Sequence, residues 1–335
     1  MAPTGLYALL KAYYTGENEP EVPPLNTTTA VALLVVYTLI YVLPFYMSST
    51  IRPSASLSRD APSVIRGRIR SVTVSCIICS VTSFVILSSV DHGNPVDSLH
   101  MMGYFPMGME ETVKAVGLTA ILFAGPLFEA GIAEGRWHDW IRLRGVQDVI
   151  SGWRGWRDFV AGPWTEEVLF RSASVPLLLL ARVPNTKIIF LTPVIFGLAH
   201  VHHFYEFRIT HPHTPVIGVL LRSLLQFTYT TLFGGYATFI YMRTGSLLSV
   251  ILVHVFCNWR GFPRFWGRMN AAETVIGPDV GEGKRSEDHP AKSSIDGNLG
   301  LVWDIAYYLL LVMGAVTWHK LLWSLTESTS ALVKF

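Results

Sequence analysis

The run TAVALLVVYTLIYVLPFYM, residues 29–47, carries no charged side chain. A helix that crosses a bilayer core needs about 20 mostly apolar residues, and this run has that length. Seven further stretches read the same way: 72–90, 113–132, 166–181, 188–204, 216–241, 247–259 and 301–323. About eight spans of about 20 residues use roughly half of a 335-residue chain, and 50% of this chain is hydrophobic. Charged residues make up 15%, where an average soluble domain carries about 25%; the mean hydropathy is +0.39. These values exclude a soluble enzyme, a disordered chain and a disulfide-stapled secreted module. The spread of apolar runs along the chain also excludes a single-span anchor. The expected fold is all-α: a polytopic membrane protein of about eight transmembrane helices. The stretches 166–181 and 247–259 are short or polar-ended, so they are expected to be partly buried in protein.

Lys and Arg in the loops set the orientation of such a protein. With the N-terminus lumenal, 17 of the 26 basic residues fall on the cytosolic side and 6 on the other. Residues 1–28 then form a lumenal N-terminal segment, 29–325 a single membrane-embedded domain and 326–335 a tail. No cleaved leader and no lipidation cysteine are expected. The stretch 260–300, rich in Gly, Asp, Glu, Lys and Ser, reads as a polar cytosolic loop. Trp137, Trp140, Ile141, Trp153, Trp156 and Phe159 interleave with arginines, as interfacial segments do. The formal net charge of +2 gives no support to a nucleic-acid partner. Cys76, Cys79 and Cys257 all lie in apolar runs; the Cys76–Cys79 pair supplies only two of the roughly four ligands that a zinc site needs.

Ionisable groups inside a membrane are costly and mark function by default. Three clusters stand out: Gly162-Pro163-Trp164-Thr165-Glu166-Glu167 running on to Phe170-Arg171, then Phe196 to His203, then His254 to Trp259. Pro163 is suited to open a helix, with Gly162 or Thr165 as its cap. Glu166 and Glu167 would then complement the helix dipole. Glu167 and Arg171 are four apart and can pair, while Glu166 is rotated by about 100° and points elsewhere. A lone histidine such as His200 is commonly structural, and His254 with Asn258 can simply be a polar helix–helix contact. Topology changes that balance. In the orientation above, Glu166, His200, His254 and Asn258 all fall near the cytosolic ends of three separate spans. A shared polar cavity open to the cytosolic side accounts for all four.

Together, Glu166-Glu167…Arg171, Phe196…His200 and His254…Asn258 resemble the motifs of the type II CAAX prenyl endopeptidases, the Ras-converting enzyme branch of the CAAX protease and bacteriocin-processing family. The resemblance covers about residues 161–258. It implies removal of the aaX tripeptide from farnesylated or geranylgeranylated CAAX proteins such as small GTPases, at the endoplasmic reticulum membrane and amid membrane lipid. It implies Glu166 as general base on a water, His200 as its positioning partner, and His254 with Asn258 as the oxyanion-stabilising pair. Glu167 and Arg171 are implied as supports, and Phe196 as a pocket wall. No cofactor is expected. Zinc held by Glu166, His200 and His254, with Asn258 as an oxygen donor, is the runner-up, although no His-Glu-x-x-His signature occurs. A Cys257–His254 dyad leaves Glu166 and His200 without a role. A transporter or a non-catalytic scaffold of the same family is the remaining alternative.

Overall fold

In the computed structural model, the described residues are 23–90, 94–269 and 300–335, and no strand occurs among them. The main helices are α1 (Thr27–Val42), α2 (Pro62–Val90), α3 (Met109–Leu122), α4 (Ala124–Phe128), α5 (Gly162–Glu167), α6 (Val175–Leu180), α7 (Asn185–Ala199), α8 (His202–Thr210), α9 (Val216–Thr244), α10 (Leu247–Arg260) and α11 (Leu301–Leu325). Among the described residues, five stretches are long and apolar enough to cross a membrane: Thr27–Met47, Pro62–Ser89, Asn185–Thr210, Val216–Thr244 and Leu301–Leu325. A sixth candidate is the pair Met109–Leu122 and Ala124–Ala133, bent by 82° at its break. The chain is thus an all-α polytopic membrane protein, as its composition implies. Most of the segment 1–28 and of the loop 260–300 lies outside the described residues.

Two of the eight expected spans take another form. With 14 residues, α10 is about 21 Å long, short of a bilayer core of about 30 Å. The stretch 166–181 is the centre of the bundle: residues 168–178 are all buried, against α1, α2 and α10. Apolarity here serves contact with protein rather than with lipid.

Prolines shape this central segment. Pro163 and Pro176 lack the N–H that closes a helical turn, and their rings push on the carbonyl four residues back. Just before each, the chain widens into a π-helical stretch, Trp156–Ala161 and Val168–Ala173. The expected helix start at Pro163 is corrected by this geometry. Ala161 and Gly162 are already right-handed helical, and Thr165 Oγ1 donates back to Ala161 O at 2.6 Å. Glu166 and Glu167 therefore sit inside a continuous helical path, so complementing a helix N-terminus is not their role.

Helix α9 packs along α7, and Gly234 permits the approach: a Cβ there would lie 3.0 Å from Pro193 Cβ. Gly245, at φ 62°, ends α9 in the left-handed conformation that suits glycine. Ser246 then caps α10 by accepting from Ser249 N–H at 3.1 Å. This two-residue connection makes α9 and α10 neighbours and directs His254 toward α5. The tail folds back as well, with Leu332 N–H donating to Met242 O at 2.9 Å. Cys76 and Cys79 are buried free thiols inside α2, as their apolar setting implies. Trp137, Ile141, Trp153 and Trp156 are exposed, in keeping with an interfacial stretch.

Candidate active site

A cavity of about 1170 Å³ opens among α1, α2, α5, α7, α9 and α10. Glu166, Phe196, His200, His254 and Asn258 all line it. These residues come from α5, α7, the end of α7 and α10, so the three sequence clusters meet in one place. Glu167 and Arg171 do not line it; they lie directly behind.

Glu167 is fully buried and joins two of the clusters. Its Oε1 lies 2.7 Å from His254 Nδ1 and accepts from Arg171 Nη1 at 3.1 Å. A carboxylate only accepts, so His254 Nδ1 carries the proton and Nε2 is left for another partner. That Nε2 stands 3.9 Å from Glu166 Oε2. Glu166 itself keeps 22% of its side chain exposed, toward the cavity it lines. Arg171 is almost completely buried between two rings, 4.7 Å from the Phe196 centroid and 5.8 Å from that of Phe233. It also donates to Gly234 O at 3.3 Å. Glu167, Arg171 and these rings form a rigid wall behind Glu166.

His200 terminates α7. Its Nδ1 lies 2.8 Å from Phe196 O, and its ring packs edge-on to Phe196 at 4.7 Å. The carbonyl can only accept, so Nδ1 donates and the ring orientation is set by the backbone one turn earlier. Asn258 is exposed at the cavity mouth and donates Nδ2–H to Asp158 O at 2.9 Å. Asp158 is in turn gripped by Arg157 at 2.7 Å, and Arg157 reaches Asp60 at 2.6 Å. Asp60 lies in the connection between α1 and α2. Burial raises its carboxyl, but the hydrogen bond and charge of Arg157, with Arg154 and Arg59, outweigh that and hold it below the usual carboxylate range.

Several polar residues in or beside the cavity escape a reading of the sequence. Tyr41 Oη pairs with Thr165 Oγ1 at 2.9 Å. Glu206 sits beside the histidine run and takes Arg68 Nη2 at 2.6 Å. Gln226 lines the cavity from α9, buried to 7% exposure. For Gln226 a signal is present, since it is a polar side chain inside the apolar stretch 216–241. Nothing local distinguishes Tyr41 from any other membrane tyrosine.

The donors named for zinc are not gathered for it. Among the described residues, one set of three His, Cys, Asp or Glu donors has its ligand atoms within 4.8 Å of one another: His202, His203 and Glu206. Glu166, His200 and His254 form no such set. Within the other set, Glu206 is committed to the Arg68 guanidinium.

Residues 149–260, which hold all three motifs, match the family described as type II CAAX prenyl endopeptidase Rce1-like. The chain is 34% identical over 241 residues to a probable CAAX prenyl protease 2 of Schizosaccharomyces pombe, covering 72% of this chain and 84% of that one. It is 32% identical over 279 residues to CAAX prenyl protease 2 of Arabidopsis thaliana, covering 77% and 88%. With the human CAAX prenyl protease 2 it shares 31% over 232 residues, covering 65% and 68%. No solved structure matches the chain. The buried Glu167–Arg171 pair, the cavity that gathers the three motifs and these similarities lead to one assignment: the chain belongs to the type II CAAX prenyl endopeptidase, Rce1-like family.

Proposed function

We propose that this protein hydrolyses the peptide bond after the prenylcysteine of prenylated CAAX proteins and releases the aaX tripeptide. One observation carries the reading: Glu166, His200, His254 and Asn258, from three helices, line a single cavity inside an apolar bundle. In this mechanism Glu166 removes a proton from a water held between it and the histidines. The water oxygen bonds to the scissile carbonyl carbon, and the carbonyl oxygen becomes the oxyanion. Asn258 has a second Nδ2–H to donate to that oxygen. His254, its ring held at Nδ1 by the Glu167 carboxylate, turns Nε2 toward that oxygen and donates to it when Nε2 carries a proton. Glu166 then delivers its proton to the leaving amine as the C–N bond breaks. Preorganised donors of this kind are each worth about 3–4 kcal/mol in the transition state. The mechanism needs no metal, and the separation of Glu166, His200 and His254 supports it over zinc.

The substrates in this reading are farnesylated or geranylgeranylated proteins such as small GTPases, with the prenyl chain soluble in the surrounding lipid. The site faces the cytosol from the endoplasmic reticulum membrane. Arg59, Arg68, Arg136, Arg157 and Arg260 line the cavity and belong to the more basic set of loops, which supports that orientation. A thiol label supplied from the cytosol should reach Ser56→Cys in the exposed connection before α2.

The deciding experiment offers membranes containing the protein a farnesylated Cys-a-a-X peptide, with and without chelator. Cleavage after the cysteine, retained in chelator and lost in Glu166→Ala and His200→Ala, is expected. Normal turnover by Glu166→Ala overturns the mechanism. Equal cleavage of an unprenylated peptide overturns the lipid-admitting pocket, and activity restored only by zinc overturns the metal-free reading.

A further inference from the structure

One face of α9 carries Gln226, Thr230 and Phe233 into the cavity. The Phe233 ring lies 4.6 Å from the His254 imidazole, so Phe233 marks the level of the reacting groups along this helix. Gln226 is seven residues earlier on the same face, two turns or about 10.5 Å along the axis. An extended peptide advances about 3.3 Å per residue, so three residues reach about 10 Å. The axial offset between Phe233 and Gln226 is therefore close to the length of the tripeptide to be released.

The chemistry at that distance is unspent. Gln226 is more than nine-tenths buried, and its side-chain amide makes no hydrogen bond to any described residue. Its Oε1 and Nε2 open onto the cavity rather than being sealed in protein, so the amide is available to a ligand group there. Other polar groups of the cavity are partly engaged. Thr230 Oγ1 donates back to Gln226 O at 2.8 Å. Arg68 is bonded to Glu206, and Arg157 to Asp60 and Asp158. These guanidiniums supply positive potential for an anion, and the Gln226 amide adds N–H donors at its own level of the cavity.

We propose that the Gln226 amide donates to the free C-terminal carboxylate of the aaX tail and so measures three residues from the scissile bond. This inference rests on the peptidase reading above. It makes Gln226 a specificity-determining residue that acts on tail length and on the charge of the terminus.

The test uses the full-length protein in lipid and farnesylated Cys-a-a-X peptides, each as the free acid and as the C-terminal amide, with tails of two, three and four residues. The wild type should favour the three-residue free acid over its amide by about tenfold to hundredfold in kcat/KM, the effect of a hydrogen bond to a charged group. In Gln226→Leu the acid-to-amide ratio should fall to within about twofold, mainly through KM. In Gln226→Glu, where a carboxylate faces a carboxylate, the amide should become the better substrate. The ratio is taken within each variant, so a smaller folded fraction does not move it. If Gln226→Glu fails to fold, Gln226→Leu and Gln226→Asn report the same ratio. A wild-type ratio near one, or variants that keep the wild-type ratio and length preference, overturns the proposal. Failure of the wild type to cut any prenylated peptide would instead overturn the peptidase reading.

Discussion

Glu167 Oε1 lies 2.7 Å from His254 Nδ1, a bond across 87 residues of sequence that locks α5 to α10. The same carboxylate holds Arg171, so one buried anion serves a histidine of the cavity and a buried cation behind it.

Glu166 and Glu167 should therefore separate stability from turnover. Removing one partner of a buried ion pair costs about 3–5 kcal/mol, and Glu167→Gln leaves Arg171 with its charge unpaired. Its thermal midpoint in detergent should fall well below the parent's. Glu166→Gln faces the cavity and should unfold like the parent while prenyl-peptide turnover is lost. A Glu167→Gln protein as stable as the wild type would show that the pair is not holding the fold.

Adjacent glycines in α9 make a matched pair. A Cβ on Gly234 would meet Pro193 Cβ at 3.0 Å and Arg171 Nη2 at 3.2 Å, whereas one on Gly235 has nothing closer than 3.6 Å. Gly234→Ala should destabilise by about 1–3 kcal/mol through overpacking and should lower turnover by displacing Arg171. Gly235→Ala should be neutral or stabilising by up to about 1 kcal/mol from helix propensity. Unfolding midpoints of the two variants, side by side, check this; identical midpoints refute the close packing.

Asn258 is assigned an oxyanion contact, so its loss should act on the chemical step. Asn258→Ala should lower kcat by about 10²–10³ with KM little changed. A variant that keeps kcat within about fivefold of the wild type excludes that assignment.

The Asp60–Arg157 clamp predicts a defined pH window. Asp60 is held below its ordinary range in the folded protein, so its contribution is complete above the unfolded value of about 4 and is lost as pH falls through the lower folded value. Thermal midpoints of wild type and Asp60→Asn should differ by a constant amount above about pH 5 and converge below about pH 4. A difference that persists at the lowest pH would assign the clamp to something other than the Asp60 charge.

Much of this protein is legible in its amino-acid sequence. Lipid is an apolar solvent, so spans announce themselves as runs such as 29–47, and the few polar groups left inside them are conspicuous. That is why Glu166, His200, His254 and Asn258 are identifiable by residue type and spacing, and all four line the cavity. The same hydropathy signal misleads at 166–181, because apolarity records exclusion of water and cannot distinguish lipid from a protein interior. The residue pattern likewise suggests a helix start at Pro163, since proline suits a first turn; a π-helical approach to it leaves no local trace.

By itself, then, the sequence determined an all-α membrane protein, the four polar residues Glu166, His200, His254 and Asn258 of its cavity, and the family to which they belong. Tertiary structure alone decided which groups touch. Glu167 reaches His254 across 87 positions, and Asn258 reaches Asp158 across 100. Gln226 comes to share the cavity with the reacting groups only because α9 packs with Phe233 against His254. Helical periodicity relates residues three or four apart; the pairing of distant helices depends on how ridges, glycines and prolines fit together in three dimensions.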